Sequence, residues 1–273
     1  MNALATAAVV LAGGLGSRMR RNDGSALLDS AQRAAAERGL KAMIPDARGR
    51  PFLDHILTSL ADGGITDVCL VVPPVHDEIS DWYWQHPPAR LRLAFAVQAA
   101  PLGTANALLA AEPWLAGRDF IALNADNLYP VTAIRSLVTL KRPGLVAFAA
   151  QALVASGNID AERIAAFAIL ELREDGTLAR IIEKPSAEEH ARAGDLPWIS
   201  MNIWRFDTTI FTACREVPRS ARGEFELPQA VELAITRWAR FVAVTMTAPV
   251  LDLSRRGDVA TLAERLALLA TNP

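Results

Sequence analysis

One stretch decides the fold of this chain: Ala7-Ala8-Val9-Val10-Leu11, followed at once by Ala12-Gly13-Gly14-Leu15-Gly16-Ser17-Arg18. The first five residues are an apolar run that predicts a buried strand, and the glycines predict a tight turn directly after it. Glycine lets backbone N–H groups approach phosphate oxygens closely, and an arginine beside them can neutralise those oxygens. Taken alone, the turn also fits an ordinary strand-to-helix connection.

Two common phosphate-binding turns do not fit this stretch. A Walker P-loop is excluded because no Gly-Lys-Ser or Gly-Lys-Thr follows. A dinucleotide-binding turn would need a third glycine where Met19 stands, so a dinucleotide oxidoreductase is excluded on the glycine pattern.

Outward from the turn, short apolar runs alternate with helical stretches in the first half, which is typical of βαβ units and a parallel sheet. The second half contains a hairpin signal at Glu174-Asp175-Gly176-Thr177. The patterns predict strands over 7–11, 68–72, 91–97, 120–124, 144–150, 167–172, 178–183, 199–206 and 241–246. They predict helices over 51–61, after Gly103, and over 131–140, 225–238 and 258–269.

We therefore expect an α/β protein with a doubly wound, mixed but mainly parallel sheet. A small mixed-sheet lobe is expected after about residue 150. We expect this lobe to share the core, so that residues 1–273 form a single domain.

The composition limits the classes of function. The 273 residues are 51% hydrophobic and 21% charged, with a formal net charge of −2, whereas a nucleic-acid binder or an anionic-membrane binder needs a basic surface. No apolar run is long enough to predict a spanning helix, and the first residues predict a strand and not a signal peptide. Two cysteines, Cys69 and Cys214, indicate no disulfide framework. These features predict a cytoplasmic protein with no nucleic-acid or membrane partner.

Lysine is rare in this chain. Of 28 basic residues only Lys41, Lys141 and Lys184 are lysine, and the others are arginine. The two side chains are not interchangeable at a bound ligand, because lysine offers a compact ammonium group on a thin stem. The lysines are therefore candidates for positions at which a phosphate must be approached closely.

Further short motifs follow the glycine turn along nearly the whole chain. They are Lys41-Ala42-Met43-Ile44-Pro45, Gln98 with Pro101-Leu102-Gly103-Thr104-Ala105, Asn124-Ala125-Asp126, Glu183-Lys184-Pro185, Ser200-Met201-Asn202-Ile203-Trp204, Gly223-Glu224-Phe225-Glu226-Leu227-Pro228 and Leu251-Asp252-Leu253. In this order they resemble the motifs of the sugar-1-phosphate nucleotidyltransferases, such as glucose-1-phosphate thymidylyl- and uridylyltransferases and mannose-1-phosphate guanylyltransferases. Each motif is short, and it is their order that makes the resemblance specific.

The resemblance implies a Rossmann-like nucleotide-diphospho-sugar transferase fold, with a nucleotide-binding half over 1–150 and a sugar-phosphate-binding half over 151–273. It implies that a nucleoside triphosphate and a sugar 1-phosphate react to give a nucleotide sugar and pyrophosphate. The sugar phosphate is already ionised near neutral pH, so positioning and charge neutralisation at the α-phosphorus can supply the catalysis. Gln98 offers a donor and an acceptor to a base edge, and its place in the base segment favours a uridylyl or thymidylyl donor.

The resemblance also implies roles for individual residues. Asp126 and Asp252, each at the end of a strand, are candidate ligands of a Mg²⁺ cofactor. The candidate catalytic cations are Arg18 and Lys41, on the triphosphate, and Lys184, on the sugar phosphate. The residues expected to contact the nucleotide are Ala12, Gly13, Gly14, Gly16, Ser17, Gln98, Gly103 and Thr104, and those expected to contact the sugar are Glu183 and Asn202.

One segment departs from the family pattern. Arg18 and Lys41 are 23 positions apart, roughly twice the usual separation for such a turn and lysine. The extra residues, about 23–39, include an Ala-rich helical stretch over 25–38 that Gly39 ends and that Asp23 or Ser25 is expected to cap. This insert is a candidate lid, a candidate subunit contact or a passive surface insertion, and the sequence leaves open whether the chain forms a homo-oligomer.

Two alternative functions stay open. One is a guanylyl-, adenylyl- or cytidylyltransferase that acts on another sugar phosphate or on a non-sugar phosphate. The other is a non-catalytic regulatory protein that binds a nucleotide sugar, although such a protein has little use for paired metal carboxylates. No hexapeptide repeat follows the catalytic motifs, so we expect no left-handed β-helix appendage.

Overall fold

The structure is a computed structural model that describes residues 4–14, 16–20, 28–74, 78–194 and 196–273. Its strands, in chain order, are β1 Ala7–Leu11, β2 Asp67–Val72, β3 Arg92–Val97, β4 Phe120–Asn124, β5 Asn127–Leu128, β6 Gly144–Ala149, β7 Ile169–Leu172, β8 Leu178–Ile182, β9 Trp198–Phe206, β10 Val242–Met246 and β11 Leu251–Asp252. Its helices are α1 Ser17–Arg20, α2 Ser30–Arg38, α3 Phe52–Asp62, α4 Glu78–Gln85, α5 Thr104–Ala110, α6 Glu112–Leu115, α7 Val131–Thr139, α8 Ala150–Ala155, α9 Ala161–Ile164, α10 Ala187–Ala193, α11 Ile210–Glu216, α12 Leu227–Arg237 and α13 Asp258–Ala267, with a 3₁₀ turn over Lys41–Met43.

The central sheet has the order β10-β6-β9-β4-β1-β2-β3. Strands β1 to β4 are mutually parallel, as are β6 and β10, whereas β9 runs antiparallel between β4 and β6. The hairpin β7-β8 continues the same sheet by pairing antiparallel with β9, and β5 pairs antiparallel with β11 in a separate small sheet. The expected mixed, mainly parallel α/β sheet is confirmed.

Helices cover both faces of this sheet. Along β1, Ala8 and Val10 belong to one buried cluster, and Ala7 and Val9 belong to a second cluster on the other face. This alternation follows from the two-residue period of a strand, and it explains why β1 is apolar throughout. Residues of α3, α7 and α13 pack in the first cluster, and residues of α5, α11 and α12 pack in the second.

The predicted strands and helices occur within two residues of their expected bounds, with one exception. The helix of the insert begins at Ser30 and is capped by Asp29, so the prediction that it starts at residue 25 with Asp23 or Ser25 as cap was wrong. Asp29 Oδ1 accepts a hydrogen bond from the Gln32 amide at 2.8 Å, and Gln32 Oε1 accepts one from the Asp29 amide at 3.2 Å. This reciprocal capping box fixes the start of α2. Asp23 and Ser25 themselves lie outside the described residues.

Gly39 ends α2 in the left-handed conformation, as expected. Within the described residues, no helix is both long enough and apolar enough to cross a lipid bilayer.

The helix α3 contains a buried histidine. His55 in α3 is 2% exposed, and its Nε2 lies 3.0 Å from Asp46 Oδ2. The Oδ1 atom of Asp46 accepts hydrogen bonds from the amides of Arg48 and Arg50, which fixes the loop before α3. Burial lowers the pKa of His55 below its ordinary value of 6.5, although the Asp46 carboxylate opposes this shift.

This burial predicts a pH dependence of stability. As the pH falls from 7 to 5, the unfolded chain gains a proton on residue 55 that the folded chain does not take up, so the free energy of unfolding decreases. One such group contributes at most about 1.4 kcal/mol per pH unit. Urea unfolding of His55→Gln should show a shallower decrease over this range than the wild type. His86→Gln, which removes an exposed histidine, should keep the wild-type slope, and equal slopes in all three proteins would refute the assignment.

Candidate active site

Four parallel strands end at one edge of the sheet. The register pairs Leu11 at the end of β1 with Val71 and with Asn124, and it pairs Val72 with Val97. The glycine turn after β1, Gln98 after β3 and Asp126 after β4 therefore start at the same edge. Open α/β sheets bind ligands outside this edge, because the connecting loops diverge there.

The glycine turn touches Gln98. A Cβ atom on Gly13 would lie 3.3 Å from Gln98 Oε1. The Nε2 atom of Gln98 donates to the carbonyl of Gly103 and to Asn106 Oδ1, both at 3.0 Å. Both amide hydrogens are thus used within the protein. The expectation that Gln98 offers a donor and an acceptor is corrected here, because Oε1 is the atom left for a ligand.

The remaining residues of the turn divide into buried and open positions. Ala12 donates its N–H to Val71 at 2.9 Å and so continues the pairing of β1 with β2. Gly16 has a φ of +58°, and a Cβ there would lie 2.3 Å from the carbonyl oxygen of Gly39. The turn therefore packs directly on the end of α2. Gly14, with open space around its Cα, is exposed, as are Ser17 and Arg18 in α1.

Gly103 and Thr104 pack against the segment over 225–227. Gly103 has a φ of +108°, and a Cβ there would lie 2.4 Å from the carbonyl oxygen of Phe225. The Thr104 hydroxyl accepts the N–H of Leu227 at 2.8 Å. These contacts fix the turn against the segment over 225–227, and the expectation that Gly103 and Thr104 contact the nucleotide stays a prediction.

Asp126 and Lys41 form an ion pair at the edge of the sheet. Lys41 Nζ donates to Asp126 Oδ2 at 2.9 Å, and the Asn127 amide donates to Asp126 Oδ1 at 3.2 Å. The Asp126 side chain is 25% exposed and the Lys41 side chain is similarly half-buried. One carboxylate predicted to bind a metal and one cation predicted to bind phosphate are thus in direct contact.

Asp252 is almost fully buried and is held by several hydrogen bonds. It is 1% exposed, its Oδ2 accepts from Arg163, and its Oδ1 accepts from the Ser254 hydroxyl at 2.7 Å. Its backbone N–H donates to Asn158 Oδ1 at 2.8 Å, and its carbonyl accepts from Asn158 Nδ2 at 2.7 Å. Arg163 also donates to Asp258 Oδ1 at 2.7 Å. This cage of hydrogen bonds fixes the Asp252 carboxylate in one orientation.

The two predicted metal carboxylates are near each other. The amide of Leu253 donates to the carbonyl of Asp126 at 2.8 Å, and β5 and β11 place Asn127 opposite Asp252. Burial, and then the charge of Asp126, raises the pKa of Asp252 to about 6. Two carboxylates that oppose each other's ionisation in this way form a site that a cation stabilises.

The donor set at this position fits a hard divalent cation. Besides the two carboxylates, the Oδ1 atom of Asn127 is buried and has no hydrogen-bond partner in the described part of the chain. A carboxylate offers about four lone-pair sites, so Asp252 can accept its two hydrogen bonds and still bind a metal. Carboxylate and amide oxygens are ligands that Mg²⁺ accepts, with phosphates in the remaining positions. Among the described residues there is no group of three or more His, Cys, Asp and Glu side chains placed to hold a metal.

Two predicted site residues have strained backbones. Lys184 and Asn202 have φ values of +49° and +56°, and among the described residues Ala116 is the one other non-glycine residue with a positive φ. Such conformations cost of order 1–3 kcal/mol and occur where the surrounding structure imposes them. Here Tyr129 contributes, because its hydroxyl donates to the carbonyls of Met201 and Asn202. Burial, and then the charges of Asp126 and Asp252, raises the pKa of Tyr129, so this tyrosine lies near the carboxylate pair as well as Asn202.

Glu183 and Lys184 follow β8 and lie among several charges. Glu183 is an exposed residue, yet neighbouring protein partly removes water from its carboxyl group. This desolvation, and then the charge of Glu226, raises its pKa, whereas the nearby Arg222 opposes the shift. Arg222 Nη2 is 3.1 Å from Glu226 Oε1. The predicted sugar-side residues thus share one charged neighbourhood with Arg222.

The structure therefore assembles the predicted residues in three contact groups. The glycine turn meets Gln98. Lys41 meets Asp126, whose segment pairs with that of Asp252. Glu183 and its chain neighbour Lys184 lie near Arg222. Sequence reasoning missed Asn106, Tyr129, Asn158, Arg163 and Arg222. No pattern in the chain marks them, because each acts through a contact with a distant segment.

Comparison with known proteins gives the same family over most of the chain. The family model described as "Nucleotidyl transferase" matches residues 36–249. The chain is 26% identical over 219 residues to the bifunctional protein GlmU of Methanococcus vannielii, covering 80% of this chain and 48% of that protein. It is 29% identical to a glucose-1-phosphate thymidylyltransferase of Streptomyces antibioticus, covering 85% of this chain and 58% of that protein.

The chain thus spans about half the length of these curated relatives. A solved structure of a UDP-glucose pyrophosphorylase complexed with UDP-glucose superimposes with a TM-score of 0.73 at 14% identity, covering 97% of this chain and 99% of that one. At this identity the likeness shows the fold.

The contact between Gly103 and Phe225 can be tested by substitution. Gly103→Ala places a Cβ where the Phe225 carbonyl lies, in a backbone conformation that side chains rarely adopt, so we expect a loss of about 2–6 kcal/mol in the free energy of unfolding. Gly117→Ala is the matched control, because Gly117 has a φ of +87° with open space around it. It should lose only the backbone strain, about 1–3 kcal/mol. Equal losses in urea unfolding would contradict the close approach.

Proposed function

Because the chain belongs to the nucleotidyl transferase family, we propose that it is an enzyme that transfers a nucleotidyl group from a nucleoside triphosphate to a sugar 1-phosphate. The observation that carries this proposal is the arrangement at the sheet edge. There a glycine turn adjoins an amide acceptor on one side. On the other side a lysine is paired with Asp126, and Asp126 lies near a second carboxylate, Asp252. A triphosphate needs these groups together. Backbone N–H groups approach its phosphates, cations neutralise its charge, and oxygen ligands hold a metal.

The reaction requires little from a general base. An oxygen of the sugar phosphate attacks the α-phosphorus, the bond between the α-phosphorus and its bridging oxygen breaks, and pyrophosphate leaves with the electron pair. The sugar phosphate is already an anion, so no proton has to be removed. The residues must therefore hold two anions together and neutralise the charge on the leaving group.

Charge neutralisation is assigned to Arg18, Lys41 and Lys184. Arg18, exposed in the first turn after the glycines, is free to reach the β- and γ-phosphates. Lys41 is held in place by Asp126 before any substrate binds. Lys184 is held by a strained backbone, and its role is to hold the phosphate of the sugar against the α-phosphorus. Such fixed charges need no rearrangement during the reaction.

Mg²⁺ is the proposed cofactor, and Asp126 and Asp252 are the residues that would hold it. When bound, it would neutralise charge on the phosphates of the nucleotide. Arg163 and Ser254 fix the Asp252 carboxylate, and Asn158 fixes its backbone, so one ligand is oriented before binding. Second-shell hydrogen bonds of this kind commonly set metal affinity.

We propose that the base of the nucleotide is uracil or thymine. The free atom of Gln98 is the acceptor Oε1, since both of its amide hydrogens are used by Gly103 and Asn106. The ring N–H of uracil or thymine is a matching donor. The names of the Streptomyces thymidylyltransferase and of the UDP-glucose pyrophosphorylase are compatible with this choice.

We propose that the sugar 1-phosphate binds to residues of the second half of the chain. Glu183 is the proposed acceptor for sugar hydroxyls, and Asn202 is placed beside the end of β4 by the pairing of Leu123 with Ile203. We propose that both halves act as one domain, because β9 from the second half lies between β4 and β6. The near-neutral composition supports a cytoplasmic reaction with no nucleic-acid or membrane partner.

A product screen tests the proposal. The protein is incubated with Mg²⁺, each of five nucleoside triphosphates and a panel of sugar 1-phosphates, and released pyrophosphate is measured. We expect turnover with UTP or dTTP. Turnover with GTP, ATP or CTP, or with a non-sugar phosphate, would support the alternative transferases. Binding of a nucleotide sugar without turnover of any pair would indicate the regulatory protein.

Asp126→Asn tests the metal carboxylate. The variant keeps the shape of the side chain but loses the negative charge, and we expect kcat to fall by about 10²-fold or more. Asp81→Asn, an exposed change in α4, is the control and should keep wild-type kinetics. Near-normal turnover of Asp126→Asn would remove Asp126 from the proposed site.

Lys184→Ala tests the sugar-phosphate cation. We expect the KM for the sugar 1-phosphate to rise by about 10-fold or more, since a charged hydrogen bond is lost, while the KM for the nucleotide changes less. Lys141→Ala, in the loop after α7, serves as the control with both KM values retained. Equal effects of Lys184→Ala on the two substrates would reassign this lysine.

A further inference from the structure

A buried arginine lies beside the site with much of its hydrogen-bonding capacity unused. Arg256 is 4% exposed, and its Nε and Nη2 atoms are buried without a hydrogen-bond partner among the residues that the structure describes. An ion pair joins Nη2 to Glu37 Oε1, but at 3.9 Å it is too long for a hydrogen bond, and the Glu37 side chain is 61% exposed. Leaving a buried charged group unsatisfied is costly, so such a group calls for a physical explanation.

The position of Arg256 suggests that explanation. It follows β11 in the segment whose Leu253 amide binds the Asp126 carbonyl at 2.8 Å. On its other side lies Glu37, in the last turn of α2, and the end of that helix packs on Gly16. Arg256 therefore lies between the carboxylate side of the site and the glycine turn, where the proposed function places the triphosphate.

The other buried or half-buried cations of this region are already compensated. Lys41 is paired with Asp126, and Arg163 is paired with Asp252 and Asp258. A nucleoside triphosphate carries about four negative charges near neutral pH, and its terminal phosphates offer acceptors that match a planar guanidinium. We propose that Arg256 is a further binding residue of the site, which holds the β- and γ-phosphates of the nucleotide and then the pyrophosphate product.

This inference rests on the proposed function. It adds Arg256 as a binding residue and a preference for ligands that carry terminal phosphates. A guanidinium that meets the terminal phosphates contributes to the binding of triphosphate and pyrophosphate but not to that of a nucleoside monophosphate. It also gives α2 a role, because Glu37 in its last turn flanks the arginine. Helix α2 would form one wall of the pyrophosphate site.

The test compares Arg256→Met with Arg255→Met, its exposed neighbour. Binding of inorganic pyrophosphate in the presence of Mg²⁺ is measured by titration calorimetry, and the thermal midpoint is measured without ligand. We expect Arg256→Met to bind pyrophosphate about 10- to 100-fold more weakly than the wild type. Arg255→Met should bind as the wild type does. Arg256→Lys, which keeps the charge but not the planar donor pair, should lie between wild type and Arg256→Met.

The thermal midpoint separates a ligand-binding arginine from a structural one. If the guanidinium lacks protein partners, Arg256→Met should unfold at or above the wild-type temperature, because methionine fills the space without an unsatisfied charge. Loss of folding in Arg256→Met, or a lowered midpoint with unchanged pyrophosphate affinity, would overturn the proposal. If the wild type neither binds pyrophosphate nor transfers nucleotides, the proposed function fails. If the wild type does both and Arg256→Met binds equally well, only this inference fails.

Discussion

The shared register of β1 to β4 is the constraint on which the site depends. Parallel pairing brings Leu11, Val72, Val97 and Asn124 to one edge of the sheet, although they are far apart in the sequence. The antiparallel strand β9 is inserted beside β4, and this brings residues of the second half to the same edge. The positions of the glycine turn, the amide acceptor and the carboxylate pair all follow from this pairing.

Fixed charge is the second organising feature. Lys41 is held by Asp126, and the cage around Asp252 includes a buried arginine that also binds Asp258. Buried ion pairs add little net stability unless every member has its hydrogen-bond partners. Their desolvation cost is offset by function where they hold a side chain in one orientation. These pairs orient the groups that would meet the substrates. Such preorganisation is the main source of rate acceleration in reactions that transfer charged groups.

The sequence predicts the architecture well and the contacts less well. The strands could be predicted because short apolar runs alternate with helical stretches, and the order of the motifs predicts which loops carry the site. The sequence could not predict that Gly103 packs against the backbone of Phe225. Nor could it predict that the Gln98 amide donates to Gly103 and Asn106, since both features depend on tertiary contacts. Arg163 is one arginine among 25, and only the packing of β11 shows its role. The start of α2 was missed because Asp29 is one of several polar residues able to cap a helix.

The most direct test of the central claim is a crystal structure with Mn²⁺ and a non-hydrolysable analogue of the accepted nucleoside triphosphate. The anomalous signal of manganese locates the metal independently of the nucleotide. We expect the peak within bonding distance of Asp126 and Asp252, the phosphates along the glycine turn, and the base at Oε1 of Gln98. A metal away from both carboxylates, or a nucleotide bound at another edge of the sheet, would contradict the account.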